Sequence, residues 1–258
     1  MAITTTITTT NPSVHLLEYG ESGSGKSTSA RTFPTPIITF FWDPFGNERP
    51  YLYDLTGQPY GVACPSVDEF GTPVQESYAP DGSLLVRVEH YIDRDPFVPE
   101  AYGRFLRRIA AFDPTPWATV INDSVTFMEL MARKQQQYVL NKTAREPRQW
   151  FAGSTDTLEE VLMIRFGSFP CNVVVIAHVD EDKDELHGSM VRNPSAPGRL
   201  RKRSPSGYGE VYHAFVRPDE QGTPTYLWQT RGDHQFNAKS LIGAPSPCPQ
   251  HYLAMWAR

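Results

Sequence analysis

Glycine, lysine and hydroxyl side chains recur in the stretch GESGSGKST, residues 20 to 28, at a spacing that suits phosphate chemistry. Gly20, Gly25, Lys26 and Ser27 satisfy the pattern G-x-x-x-x-G-K-[ST]. The glycines let backbone N–H groups converge on phosphate oxygens, the lysine reaches the β and γ phosphates, and the serine hydroxyl can hold Mg²⁺. We therefore predict that ATP binds here with Mg²⁺. The predicted loop residues are Gly20, Glu21, Ser22, Gly23, Ser24, Gly25, Lys26, Ser27 and Thr28.

A second metal residue is expected at the end of a neighbouring buried strand. Asp123 closes the apolar segment TVIND and is our candidate for organising Mg²⁺ through water, beside Ser27. The alternative is that Asp123 caps the helix that follows it. Asn122, Asp123 and Ser124 stand in a row, so no second acidic residue is available directly after Asp123.

Hydrolysis requires a carboxylate that orients or deprotonates water, and it must then come from another strand end. Asp43 follows the apolar segment IITFFW and is the best-placed candidate, with Glu48 and Glu89 in reserve. The alternative is that Asp43 is a structural turn residue before Pro44.

A histidine ends the most apolar segment of the chain, NVVVIAH. We predict that His178 senses the γ phosphate or the attacking water, because carboxyl ends of parallel strands meet at one sheet edge. Its alternative role is that of an ordinary polar residue in a turn.

Basic residues cluster in a loop rich in proline, glycine and serine: Arg199, Arg201, Lys202 and Arg203. With Tyr208 as a stacking surface, they predict a site for single-stranded DNA, since phosphate neutralisation and base stacking are its two requirements. A solvated charge cluster is the alternative. Arg231 and Lys239 flank a predicted hairpin and are candidates for reaching the nucleotide of a neighbouring subunit, with plain surface charge as the alternative.

Alternating strand and helix patterns surround these residues. Strands are predicted over 14–19, 37–42, 83–91, 117–124 and 171–179, and helices over 26–31, 99–112 and 125–140 and from Ser154. Further strands over 211–216, 225–230 and 236–242 are joined by turns. The pattern predicts an α/β fold with a mostly parallel central sheet, helices on both faces and a C-terminal antiparallel extension.

Bulk properties fit one globular domain. The chain has 258 residues, of which 40% are hydrophobic, a net charge of −5, and no apolar run of the length that spans a membrane. We predict a flexible Thr-rich tail over 1–13 and a single domain over 14–258 with an insertion around 44–83. The acidic run 180–185 is predicted to be a solvated turn. Three widely spaced cysteines favour a reduced, cytoplasmic setting.

Several segments together resemble the phage P-loop ATPases with a RecA-like core, some of which are single-strand annealing or recombination proteins. They are YGESGSGKST, INDS, VVVIAHVDEDKDE, PGRLRKRSPSGYGEVYHAF and LWQTRGDHQFNAKS, within roughly residues 14 to 242. The resemblance implies a RecA-like fold, ATP and Mg²⁺ between subunits of a ring or filament, and single-stranded DNA as partner. Two departures are the ending WDPFGNE in place of an acidic pair, and the long segment 44–83.

The leading hypothesis is therefore a DNA-dependent ATPase of phage recombination in the host cytoplasm, with a single-strand binding protein as a further candidate partner. A P-loop kinase that uses the basic loop as a lid over a small acceptor is one alternative. The other is an assembly protein that is locked by nucleotide and hydrolyses little of it.

Overall fold

The computed structural model describes residues 12–53, 58–59, 64–95, 97–144, 146–183 and 190–257. Its strands are β1 His15–Gly20, β2 Ile37–Phe41, β3 Cys64–Val67, β4 Pro73–Tyr78, β5 Leu84–His90, β6 Thr119–Asp123, β7 Asn172–Ala177, β8 Val179–Lys183, β9 Met190–Pro194, β10 Glu210–Pro218, β11 Pro224–Gln229, β12 Lys239–Ser240 and β13 Cys248–Pro249. Its α-helices are α1 Lys26–Ala30, α2 Arg49–Leu52, α3 Ala101–Ala110, α4 Val125–Gln135, α5 Pro147–Glu159 and α6 Leu200–Gly207. Helix α4 continues as a π-helical turn, Gln136–Leu140, and α5 as another, Glu160–Arg165.

One mixed sheet forms the centre of the described chain. Strands β10, β1, β7, β6, β2 and β5 lie side by side in that order and all run parallel. Antiparallel strands extend both edges: β11, β12 and β13 beyond β10, and β4 and β3 beyond β5. The predicted fold class is therefore confirmed, and the parallel order brings the carboxyl ends of β1, β7, β6 and β2 to one edge.

Alternation along the buried strands divides the core between the two faces of the sheet. On β1, Leu17 and Tyr19 join one apolar cluster and Leu16 joins the other. Helices α3 and α4 pack against the first cluster, as Phe105 and Met128 show. Ala30 of α1 belongs to the second, so the helix that follows the glycine-rich loop lies on the opposite face. Helices on both faces explain why the parallel strands are apolar without alternation.

The predicted helix start at Ser154 is wrong, because α5 begins seven residues earlier, at Pro147. Proline suits the first turn of a helix, where its missing N–H has no intrahelical acceptor. Ser154 is buried inside the helix and donates its hydroxyl to the Phe151 carbonyl rather than capping a helix end. Residues 147–153, which precede the predicted start, are therefore helical.

The acidic and basic segments after β7 are more ordered than the sequence predicted. Residues 180–183 of the acidic run lie in β8, which pairs with β9, so the prediction of a turn is wrong for them. Residues 184 and 185 lie outside the described residues. The predicted basic loop contains β9 and helix α6, and its prediction as a loop is likewise wrong over those elements.

Three further expectations concern the N-terminal tail, the insertion and the last predicted strand. Residues 1–11 of the predicted tail lie outside the described residues. The predicted insertion carries α2 and the β3–β4 hairpin, which adds to the sheet beside β5. Of the predicted strand 236–242, only Lys239–Ser240 pairs with β10.

No described helix combines the length and apolar character needed to cross a membrane.

Candidate nucleotide-binding site

The glycine-rich loop joins the carboxyl end of β1 to the start of α1, as the sequence predicted. Gly23 and Gly25 have φ angles of 78° and 93°, in the left-handed region that glycine adopts without strain. A side chain at Gly20 would collide with the Ala214 carbonyl oxygen of β10. The glycines are therefore required by the path of the loop and by its close approach to the neighbouring strand.

Lys26 folds back over this loop. Its Nζ donates to the carbonyl oxygens of Gly20 at 2.9 Å and Glu21 at 2.7 Å, and it is almost fully buried. Burial lowers the pKa of Lys26, while the carboxylates of Asp123 and Asp43 oppose that shift. The ammonium is thus held at the mouth of the loop, where a phosphate would replace the carbonyl oxygens as its acceptor.

Ser27 and Asp123, the two predicted metal residues, are in direct contact. Ser27 Oγ donates to Asp123 Oδ2 at 2.7 Å, and Tyr51 donates its hydroxyl to the same oxygen at 2.7 Å. Asp123 ends β6 and is 3% exposed. Burial raises its pKa, and the neighbouring Asp43 carboxylate raises it further. The alternative was that Asp123 caps α4. The residue at the N-cap position of α4 is instead Ser124, and no side-chain hydrogen bond caps that helix.

Asp43 stands two residues beyond β2 and faces the same cavity. Ser124, which follows Asp123 through a cis peptide bond, donates its Oγ to Asp43 Oδ1 at 2.8 Å. Burial raises the pKa of Asp43, and the hydrogen bond from Ser124 and the charge of Lys26 oppose that rise. Ser124 thus holds the carboxyl group of Asp43 in place through its hydroxyl and its backbone.

His178 follows β7 and lies on the cavity wall, as predicted. Its backbone N–H donates to Thr126 Oγ1 at 3.2 Å. Burial and the nearby charge of Lys26 lower the pKa of His178, so its imidazole is neutral at pH 7. A neutral imidazole has one donor and one acceptor nitrogen, which suits contact with either phosphate or water.

The cavity has a volume of about 660 Å³ and lies at the sheet edge where β1, β2, β6 and β7 end. The predicted residues that line it are Ser22, Gly23, Gly25, Lys26, Ser27, Thr28, Asp43, Asp123 and His178. Other lining residues are Ser29, Gly46, Asn47, Pro50, Ile176, Tyr226 and Gln250. A cavity of this size can hold a nucleotide.

Beneath the loop, Glu18 of β1 is fully buried. Ser29 Oγ lies 2.8 Å from both of its oxygens and 2.6 Å from the Lys26 carbonyl, and Trp228 Nε1 donates to Glu18 Oε1 at 2.8 Å. A hydroxyl has one hydrogen, so if Ser29 donates to the carbonyl, Glu18 must supply the hydrogen of the other contact. Burial raises the pKa of Glu18 to about 7, consistent with a protonated carboxyl group.

Replacing Glu18 with glutamine should remove a pH dependence of stability. The Glu18 pKa is raised from 4.5 to about 7, so its contribution is present at low pH and is lost as the pH rises through that window. The full shift corresponds to about 3 kcal/mol of unfolding free energy. We expect Glu18→Gln to match the wild type in urea denaturation at pH 5 and to exceed it at pH 8.

The control for that experiment is Glu220→Gln, on the exposed turn between β10 and β11. It should change the unfolding free energy little at either pH. If the unfolding free energies of Glu18→Gln and the wild type differed by the same amount at both pH values, the raised pKa of Glu18 would be contradicted.

The reserve carboxylates have other partners. Glu48 Oε2 accepts the backbone N–H of Gly46 at 2.6 Å. Glu89 is buried in a network with Arg87 at 2.9 Å and Arg108 at 3.1 Å, and it also accepts the Tyr91 hydroxyl. Neither lines the cavity among the described residues.

Three arginines of the basic cluster are ion-paired. Arg201 bridges Asp180 at 2.8 Å and Asp182 at 2.7 Å, which ties α6 to β8. Arg199 and Arg203 both contact Glu159 of α5, at 3.1 Å and 2.9 Å. The acidic partners are remote in sequence, and they attach α6 to α5 and β8.

Two other members of the predicted DNA surface differ from these arginines. Lys202 is exposed and has no ion pair within the described part of the chain. Tyr208 is 4% exposed and donates its hydroxyl to the Leu162 carbonyl at 2.9 Å. The expectation that Tyr208 offers an accessible ring for stacking is therefore wrong, because its ring is part of the core.

The two candidate trans-acting residues lie beyond β11. Arg231 is exposed in the turn after that strand, and Lys239 is half-buried in β12 opposite Val211 of β10. Neither lines the cavity among the described residues. A role toward a neighbouring subunit stays a prediction.

Sequence reasoning missed three residues at the site. Tyr51 comes from the insertion, where no periodicity indicated a helix. Tyr226 and Gln250 come from β11 and the segment after β13, more than 190 residues away from the loop in sequence. Only strand pairing at the sheet edge places them beside Gly25, and no local pattern signals that.

No protein-family model matches the sequence, and no curated protein is significantly similar to it. Among solved structures, the chain is similar to an ATPase from the type III secretion system of pathogenic bacteria, with a TM-score of 0.45 and 14% identity over 81% of this chain and 53% of that one. It is also similar to a KaiC-like protein of the hyperthermophilic archaeon Pyrococcus horikoshii, with a TM-score of 0.41 and 11% identity over 92% and 85% of the two chains. The chain thus spans about half the length of the secretion ATPase. These similarities are too low to carry an argument about function, and the fold class rests on the strand order above.

Proposed function

We propose that this chain binds a nucleoside triphosphate, ATP, with Mg²⁺ at the loop of residues 20 to 28 and hydrolyses it. The observation that carries the proposal is the meeting of Lys26, Ser27, Asp43 and Asp123 in one cavity. Cation, hydroxyl and two carboxylates are the groups that phosphoryl transfer to water needs, and they come from three separate strand ends. An ordinary glycine-serine turn would not require these partners.

The residues present fit a magnesium ion. Ser27 Oγ and Asp123 Oδ2 lie 2.7 Å apart and are the hard oxygen ligands that Mg²⁺ prefers. The described residues hold no group of three or more acidic, histidine or cysteine side chains that could bind a metal alone. Phosphate oxygens and water would therefore complete the coordination, as is usual for Mg²⁺. The ion would neutralise charge on the transferred phosphoryl group.

The protein's own groups divide the remaining work. Lys26 supplies fixed positive charge at the β and γ phosphates. Asp43, oriented by Ser124, accepts a proton from the attacking water or aligns it. His178, neutral at pH 7, hydrogen-bonds to the γ phosphate or to the attacking water. Because His178 directly precedes β8, loss of the γ phosphate would be passed on to that strand.

The proposal is tested by phosphate release from ATP with Mg²⁺ and with EDTA in its place. We expect repeated turnover that depends on Mg²⁺. A burst of about one phosphate per chain without turnover would favour the assembly protein that is locked by nucleotide. Transfer to a small acceptor instead of water would favour the kinase.

Single-stranded DNA as the partner, and a ring or filament as the assembly, rest on the resemblance to phage RecA-like ATPases. Arg199, Arg201 and Arg203 are already paired with acids, so DNA phosphates must compete with those carboxylates. Lys202 needs no such exchange. We expect an oligonucleotide of thymidines to stimulate hydrolysis, and the effect to weaken as salt rises from about 50 to 200 mM.

The matched variant is Lys202→Ala, with Lys142→Ala, on an exposed turn after the π-helical end of α4, as its control. Reduced stimulation in Lys202→Ala alone would support the DNA surface. Unchanged hydrolysis on addition of DNA would contradict the DNA partner and leave the nucleotide site intact.

A further inference from the structure

The outer wall of the cavity comes from the antiparallel edge of the sheet. Tyr226 of β11 lines the cavity and is 44% exposed, and it is the only phenylalanine, tyrosine or tryptophan in the described lining. It lies against the loop, because a Cβ atom added to Gly25 would be 2.7 Å from Tyr226 Cδ1. Almost half of Tyr226 is therefore open to contact with a bound molecule.

Gln250 lies next to Tyr226 and has a fixed orientation. Its Nε2 donates to the carbonyl oxygens of Ser24 and Leu227, each at 2.9 Å. Both partners accept only, so the amide nitrogen must face them and the amide oxygen must face away. The backbone N–H of Gln250 also donates to the Tyr226 carbonyl, which holds the two residues together.

The amide oxygen is left without a partner. Gln250 Oε1 is buried, accepts no hydrogen bond, and would lie 2.5 Å from a Cβ on Gly25. A buried acceptor without a donor is costly, and the residue lines the cavity, so a bound molecule can supply the donor.

We infer that Tyr226 and Gln250 form the subsite for the nucleoside part of the bound triphosphate. The ring of Tyr226 stacks on the base, and Gln250 Oε1 accepts an N–H or O–H from the nucleoside. Two groups offer that donor, an exocyclic amine of the base and a hydroxyl of the sugar. The inference rests on the proposed function, because it takes the loop of residues 20 to 28 as the site for the phosphates.

The first test compares ATP with inorganic tripolyphosphate, which has the phosphates and no nucleoside. Calorimetry with Mg²⁺ would measure both ligands on the wild type, Tyr226→Ala and Tyr226→Phe. Stacking predicts that Tyr226→Ala weakens ATP binding roughly 10-fold and leaves tripolyphosphate unchanged. Tyr226→Phe keeps the ring and should bind ATP as the wild type does.

Equal affinities of the wild type and Tyr226→Ala for ATP would overturn the inference, as would equal weakening of both ligands. If the wild type binds neither ligand, the proposed function itself fails. The two failures are therefore distinguishable.

The second test identifies the donor to Gln250. Inosine triphosphate replaces the adenine amine with a carbonyl, and 2′-deoxy and 3′-deoxy ATP each remove one sugar hydroxyl. The analogue that lacks the donor should bind at least about 5-fold more weakly to the wild type, since the buried acceptor stays unpaired. Equal binding of all four nucleotides would overturn the assignment of Gln250.

Discussion

Replacing Lys26 with alanine is expected to weaken ATP binding roughly 10- to 100-fold, because a charge-assisted hydrogen bond to phosphate is lost. Hydrolysis should fall further, by about 10²- to 10³-fold at saturating ATP, since the ammonium also stabilises charge that develops in the transition state. The side chain is the only described ammonium group that lines the cavity. Calorimetry and phosphate release on the same preparations would measure the two effects.

The fold should survive this change. Lys26 Nζ bonds only to loop carbonyl oxygens and to Ser24 Oγ, so its removal leaves the apolar clusters intact. Lys142→Ala, on the exposed turn after the π-helical end of α4, is the control for loss of a lysine. ATP binding by Lys26→Ala that equals the wild type would contradict the assignment of the phosphate site.

Replacing Asp43 with asparagine should separate hydrolysis from binding. General-base groups contribute about 10²- to 10⁴-fold to rate, and Asn cannot accept the proton. The amide oxygen can still accept the Ser124 hydroxyl, so the local structure should be retained. We expect the ATP affinity to stay within a few-fold of the wild type. The turnover rate should fall by about 10²- to 10⁴-fold.

Asp113→Asn is the matched control for Asp43→Asn. Asp113 lies on an exposed turn that precedes β6, at the edge of the sheet opposite the cavity. It should leave turnover unchanged. Unaltered hydrolysis by Asp43→Asn would show that Asp43 is a turn residue, the alternative that its position before Pro44 allows.

Local patterns in the sequence were sufficient to predict the glycine-rich loop between β1 and α1 and the ends of the parallel strands. The loop needs glycine at Gly23 and Gly25 because φ is positive there, and this requirement is visible in the sequence itself. Asp123 and His178 end apolar strands, and parallel pairing brings such ends to one edge. These features depend on backbone conformation and strand direction, which nearby residues determine.

Long-range partners were not predictable in the same way. The basic segment 199–203 has the composition of a solvated loop, but in the structure it pairs with acids at Asp156, Glu159, Asp180 and Asp182. Those acids come from α5 and β8, so their pairing requires the tertiary fold. An exposed DNA-binding loop was therefore a reasonable prediction from composition and wrong in its conformation.

Tyr51, which donates its hydroxyl to Asp123, was also not predictable from local sequence. Tyr51 lies in the predicted insertion, where proline, glycine and tyrosine gave no period, yet its side chain is fully buried and reaches β6. Glu18 resembled an ordinary polar residue in a strand, and only the packing of Ser29 and Trp228 around it reveals a buried carboxyl group. Burial is a property of the assembled layers, not of the segment.

The most direct test of the central claim is multiple-turnover phosphate release by the wild type, Lys26→Ala and Asp43→Asn in excess ATP and Mg²⁺, with ATP affinity measured on each. We predict many phosphates per wild-type chain, loss of both binding and release in Lys26→Ala, and loss of release alone in Asp43→Asn. Release that persists in both variants, or a wild type that neither binds nor hydrolyses ATP, would contradict the assignment of this cavity as a site of nucleotide hydrolysis.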